Sequence, residues 1–141
     1  MKDISFVVPC YNSEAYMEKC IDSLLIGKNQ VEIIIVDDGS TDKTGKIADD
    51  YHKKYPEIIK VIHQENGGHG EGINVGLKHA TGKYFKVVDS DDWLDEKAYK
   101  KLLQEIKHID TDLIVCNYVY TYTDGRKNQV ISFANVYDEN K

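Results

Sequence analysis

Short aliphatic runs alternate along this chain with stretches whose apolar positions recur every three or four residues. "ISFVV" (Ile4 to Val8) reads as a buried strand stopped by Pro9. Met17, Cys20, Ile21, Leu24 and Leu25 then follow helical spacing, with Gly27 as the closing residue. "VEIIIV" (Val31 to Val36) is continuous and β-branched, the mark of a strand covered on both faces. Ser40, Thr41 and Asp42 can cap a helix whose inner stripe is Ile47, Tyr51 and Tyr55, ended by Pro56. "IIKVI" (Ile58 to Ile62) is a third strand, followed by the glycine-rich "ENGGHGEG" and a helix near Ile73 to Ala80. "KYFKVV" (Lys83 to Val88) is a fourth strand. Asp95 and Glu96 open a helix with Ala98, Tyr99, Leu102, Leu103 and Ile106 on one face. "DLIVCNYVY" (Asp112 to Tyr120) and "NQVISF" (Asn128 to Phe133) read as further strands around a "TDGR" turn.

Strand–helix alternation with buried strands predicts an α/β domain with a mostly parallel sheet flanked by helices. Ligands bind such sheets in the crevice beyond the carboxyl ends of the strands. Pro9 to Asn12, Asp37 to Gly39, the glycine loop and Asp89 to Asp91 each follow one of the first four strands. Four strands therefore deliver polar chemistry to one edge.

Bulk composition narrows the classes without changing this picture. The chain has 141 residues, 41% hydrophobic and 30% charged, enough for one domain with a real core. A net charge of -6 argues against a nucleic-acid partner. Cys10, Cys20 and Cys116 are odd in number and form no CxxC pair, so a zinc site or disulfide framework is not expected and a reducing cytoplasm is. No apolar run reaches the ~20 residues of a membrane span. Any membrane association would be peripheral, at the inner face, or through residues outside this stretch.

Asp89 and Asp91 are two apart at a strand end, so in extended backbone their carboxylates point the same way. Such a pair suits a hard cation, Mg²⁺ or Mn²⁺, shared with substrate phosphates. Asp92 or Asp95 reads as the cap of the next helix, and the other as a solvated loop acid. Asp37 and Asp38 stand at the crevice, where a carboxylate can accept an N–H from a base; the plainer reading is a cap by Asp38 and an exposed Asp37. "GGHGEG" fits neither the dinucleotide fingerprint nor a P-loop, and His69 reads first as a loop residue. Tyr11 can stack on a base or pack in its loop. Trp93 is expected to plug the space behind the Asp89–Asp91 loop.

Together, "VVPCYNSEAYMEKCIDSLL", "IIIVDDGSTDKT" and "ENGGHGEGINVGLKHATGKYFKVVDSDDW" resemble the inverting family 2 glycosyltransferases of GT-A fold, over about the first hundred residues and in order. The resemblance implies a sugar transferred from a nucleotide-diphosphate donor, commonly a UDP-sugar, to an acceptor hydroxyl of a carbohydrate or lipid-linked acceptor. Cell-surface polysaccharide or glycoconjugate synthesis would be the setting, with Mn²⁺ or Mg²⁺ as cofactor. It places Pro9 and Tyr11 in the nucleoside pocket with Asn12 and Glu14 beside it. Asp38, with Asp37, would contact the base. Asn74 and Ser90 join the donor site. Asp91 would be the direct metal ligand, and Asp89 a metal or ribose contact. The sequence departs from the family at Ile73, where an arginine usually precedes the asparagine. No residue after Trp93 matches the family's general base, so residues 1–141 are expected to be a single GT-A domain cut before the acceptor-binding and catalytic-base region.

Other classes fit less well. A phosphoacceptor receiver domain carries its acidic pair after the first strand, whereas here it follows the second. A nucleotidyltransferase needs a basic stretch after strand one, and "CYNSEAYMEKC" is not basic. A non-catalytic sugar-nucleotide-binding fragment is the remaining alternative.

Overall fold

The computed structural model describes residues 1–114, 116–121 and 124–131. The chain separates into two compact units, Met1–His108 and Ile109–Lys141. In the first, β1 (Ile4–Cys10), β2 (Val31–Asp38), β3 (Ile59–Gln64) and β4 (Tyr84–Val87) form a parallel sheet in the order β3-β2-β1-β4. Helices α1 (Met17–Leu25), α2 (Thr44–Lys54) and α3 (His69–His79) make the crossovers, and α4 (Glu96–Glu105) follows β4. In the second unit, β5 (Tyr118–Tyr120) pairs antiparallel with β6 (Gln129–Ile131). Gly125, at φ +87°, lies in the expected turn. Both strands are shorter than the sequence suggests, and Val115, Ser132 and Phe133 of those stretches lie outside the described residues.

Every residue of β1 and β2 is buried. Alternation sends Val7, Ile34 and Val36 to one face, where Ile62 and Ala80 join them. Phe6, paired in register with Ile33, points to the other face and meets Tyr99 of α4 edge-on at 5.7 Å.

Pro9 does not stop β1; the strand runs to Cys10 and Pro9 pairs with Val36. The Val7 carbonyl accepts from Val88 N–H, so Val7 faces β4. Pro9, two residues on, faces the same side, where β4 has already ended. Its missing N–H therefore costs no ladder bond.

Three helix expectations shift. Helix α3 starts at His69, four residues before the periodic apolar run, and two of its glycines face β1: a Cβ at Gly76 would sit 2.4 Å from Val7 Cγ1, and one at Gly72 would contact Pro9. In α2 the buried stripe is Thr44 and Ala48, with Ile47, Tyr51 and Tyr55 only half-buried. Gly27 has ordinary helical φ; what it supplies is room, since a Cβ there would strike the Tyr99 hydroxyl and Val31.

At the amino end of the sheet, buried Glu32 accepts from the Ser5 hydroxyl, from Lys60 Nζ at 2.9 Å and from both N–H and Oγ1 of Thr81. Burial alone would push this carboxyl up, but the four donors hold it at about 2. The cluster ties the turn between α3 and β4 to β1 and β2.

Two outcomes follow. Gly76→Ala should lower the unfolding free energy by roughly 1–3 kcal/mol. Gly70→Ala, where a Cβ meets nothing within 4 Å, should leave it unchanged or raise it by up to ~1 kcal/mol. Urea titrations of both variants check the contrast. The contribution of Glu32 is full above pH 4.5 and is lost as pH falls towards 2. Thermal melts between pH 7 and 2 should therefore be less steep for Glu32→Gln, by on the order of 3 kcal/mol over the range; parallel curves would refute this.

Candidate functional site

The parallel register brings the carboxyl ends of β1, β2, β3 and β4 to one edge, and an open cleft of about 380 Å³ lies there. Six expected residues line it: Pro9, Tyr11, Asn12, Asp89, Ser90 and Asp91. Ser13, Tyr16 and His69 line it as well. Tyr16 is an exposed aromatic just before α1, and His69 is the first residue of α3; position next to a helix start was the available signal for both.

Side chains stitch the loops around the cleft together. Asn12 adopts φ +48°, a left-handed conformation that asparagine tolerates better than most residues. This turns its Oδ1 onto Thr41 N–H at 2.9 Å, while its own N–H donates to Ser40 Oγ. Ser13 N–H donates to Thr44 Oγ1 at 2.7 Å, and its hydroxyl bonds that of Ser90 at 2.8 Å. The loop after β4 is thereby fixed to the loop after β1. From below, the Cys20 thiol donates to the Asp89 carbonyl, and Leu94 N–H donates to Ser23 Oγ.

Asp92 N–H donates to the Asp89 carbonyl, closing a turn that gathers three carboxylates. Oxygens of Asp89, Asp91 and Asp92 lie within 4.8 Å of one another. Asp92 is thus a third member of the cluster; Asp95 alone caps α4, accepting from Ala98 N–H at 2.9 Å. Burial, then the charges of Asp91 and Asp89, push the Asp92 carboxyl up, and Lys86 opposes them. A hard divalent cation fits this set: all donors are carboxylate oxygens, they converge, and they are exposed. The Cys10 and Cys20 thiols are pushed up to about 12, chiefly by burial, so neither is a ready nucleophile.

The other acidic pair has a different fate. Asp37 and Asp38 end β2 and point to opposite faces, both buried. Asp38 accepts from Gln64 Nε2 at 2.9 Å, Gly67 N–H at 2.7 Å and Gly68 N–H at 2.9 Å. Burial works against its ionisation, but these donors prevail and hold the carboxyl low. Asp37 accepts from Ser40 N–H and bonds His63 Nδ1 at 2.8 Å, while His63 Nε2 bonds Asp49 at 2.8 Å. Hydrogen bonds to Asp49 and then Asp37 raise the His63 pKa, which favours the imidazolium. Gly39, at φ +73°, makes the turn; a Cβ there would stand 2.8 Å from Asn66 N.

Asp37, Asp38, Glu14 and Asn74 do not line the cleft. Glu14 accepts from Lys43 N–H at 3.1 Å and so braces the start of α2. Asn74 is exposed on α3. Trp93 does not plug the space behind the acidic loop: it is 41% exposed, with Lys19 Nζ 3.5 Å above its ring.

The family model of glycosyl transferase family 2 matches residues 5–140. An uncharacterized glycosyltransferase of Bacillus subtilis, EpsJ, is 40% identical over 124 residues, covering 87% of this chain and 36% of the relative. A crystal structure of Staphylococcus aureus TarS in complex with UDP-GlcNAc is 37% identical, with a TM-score of 0.66, over 77% of this chain and 32% of that one. A mannosyltransferase from Pyrobaculum calidifontis, solved with GDP-Man and Mn²⁺, shares the fold at a TM-score of 0.62 and 24% identity, over 68% of this chain and 30% of that one. The chain therefore spans about a third of the length of each.

Asp38→Asn should cost roughly 1–3 kcal/mol of stability, because an amide cannot accept from all three donors. Amide hydrogen exchange at Gly67 and Gly68 should accelerate more than exchange in β1. Unchanged protection at both glycines would show that Asp38 does not hold the loop.

Proposed function

The chain belongs to glycosyl transferase family 2, and from that premise we propose that it supplies the nucleotide-sugar site of an enzyme moving a sugar, with inversion, onto an acceptor hydroxyl. One observation carries the reading: the Asp89, Asp91 and Asp92 carboxylates converge at the rim of a cleft on the carboxyl edge of a parallel sheet. A UDP-sugar is the proposed donor. TarS, a relative 34% identical over 118 residues, is named a poly(ribitol-phosphate) β-N-acetylglucosaminyltransferase and was solved with UDP-GlcNAc. Cell-surface polysaccharide or glycoconjugate synthesis is the corresponding setting, with a carbohydrate or lipid-linked acceptor. Among the described residues no helix is long and apolar enough to cross a membrane; action in the cytoplasm at the inner membrane face is part of the proposal.

In this reading Tyr11 stacks on the base above Pro9, with Asn12 and Ser90 lining the pocket. Asp38 Oδ2 accepts one hydrogen bond and keeps an acceptor direction for a base N–H. Asp37 contributes through its turn, Glu14 through the loop after β1 and Asn74 through helix α3. Asp91 and Asp89 would hold Mn²⁺ or Mg²⁺, which when bound supplies charge neutralisation for a leaving diphosphate. Residues 1–141 are proposed to belong to one GT-A domain, and no residue of the chain is assigned as general base.

Calorimetry tests the site. The folded chain should bind UDP with Mn²⁺ present and lose that binding in EDTA; Asp91→Ala should weaken it at least tenfold. UDP binding that is absent, or indifferent to both EDTA and Asp91→Ala, would overturn the proposal.

A further inference from the structure

The side chains lining the cleft include the carboxylates of Asp89 and Asp91, and among the described lining residues His69 is the one basic group. A divalent cation among the Asp89, Asp91 and Asp92 carboxylates leaves no positive charge to spare. A diphosphate entering the cleft therefore still needs donors for its own charge.

His69 is placed to be one. Its side chain is 61% exposed, and its Nε2 stands 3.5 Å from Asp89 Oδ1, longer than a normal N–H···O bond. It is also the first residue of α3, at the helix end whose dipole favours anions and whose first N–H groups have no intrahelical partner. A Cβ at Gly68 or Gly70 would meet nothing within 4 Å, so the backbone on both sides of His69 is open to a ligand.

We infer that His69 donates an imidazole N–H to the diphosphate of the nucleotide donor. The inference rests on the donor reading of the cleft. The rival role, a third metal ligand, is the weaker one, because Asp89, Asp91 and Asp92 already converge within 4.8 Å without it.

Three titrations on the folded chain test it: UDP at fixed Mn²⁺ by calorimetry, uridine at the same Mn²⁺ by NMR, and Mn²⁺ alone by EPR. Each is run on the unsubstituted chain, His69→Ala and His69→Gln. His69→Ala should weaken UDP about tenfold, with uridine and Mn²⁺ affinities unchanged. His69→Gln, which keeps an N–H donor, should recover part of the loss. Equal UDP affinity in the unsubstituted chain and His69→Ala overturns the assignment alone. A parallel loss of uridine or of Mn²⁺ also overturns it, by making His69 a nucleoside or a metal contact. An unsubstituted chain that binds no UDP removes the donor reading and this assignment with it.

Discussion

Burial of β1 and β2 on both faces is the constraint on which the site depends. Strands covered by helices on both sides and joined by helical crossovers pair in parallel, so all four carboxyl ends meet at one edge. The tight approach of α3 at Gly76 keeps one cover close, and α1, with Tyr99 of α4 against Phe6, keeps the other. Polar chemistry from four separate loops then shares one rim without any long-range signal in the sequence.

Packing alone would leave those loops loose, and hydrogen bonds between them remove that freedom. Asn12 and Ser13 reach to Ser40, Thr41 and Thr44, and Ser13 reaches to Ser90. The residues lining the cleft are thus held by neighbours that are themselves held, which lowers the cost of ordering a bound ligand. At the opposite end of the sheet, Glu32 does equivalent work for the turn between α3 and β4.

The two acidic clusters show how environment divides one chemistry in two. Asp37 and Asp38 are buried, and the protein supplies each with fixed donors: Ser40 and His63 for one, Gln64, Gly67 and Gly68 for the other. Asp89, Asp91 and Asp92 are exposed and crowd each other, an arrangement that a hard cation fits. The first two carboxylates hold the turn and loop behind the cleft, and Asp89 and Asp91 line it. His69, beside Asp89, is the basic side chain on the same rim.

Periodicity is a property of neighbouring residues, so the chain by itself determined the α/β alternation, the buried character of β1 and β2, the Asp95 cap and the edge to which Pro9, Tyr11, Asp89 and Asp91 come. Partners distant in sequence are not periodic, and these the tertiary structure decided. Asp38 finds its donors 26 to 30 residues away, and Ser13 finds Ser90 77 residues away. The glycines of α3 look like loop residues locally but are helical, and at Gly76 the space beside Val7 admits nothing larger. Asp92 joins the acidic cluster instead of capping α4, since the turn from Asp89 brings its carboxylate beside those of Asp89 and Asp91, and Trp93 lies under Lys19 at the surface. Local sequence sets which face a residue presents; what stands opposite that face is settled only when the whole chain packs.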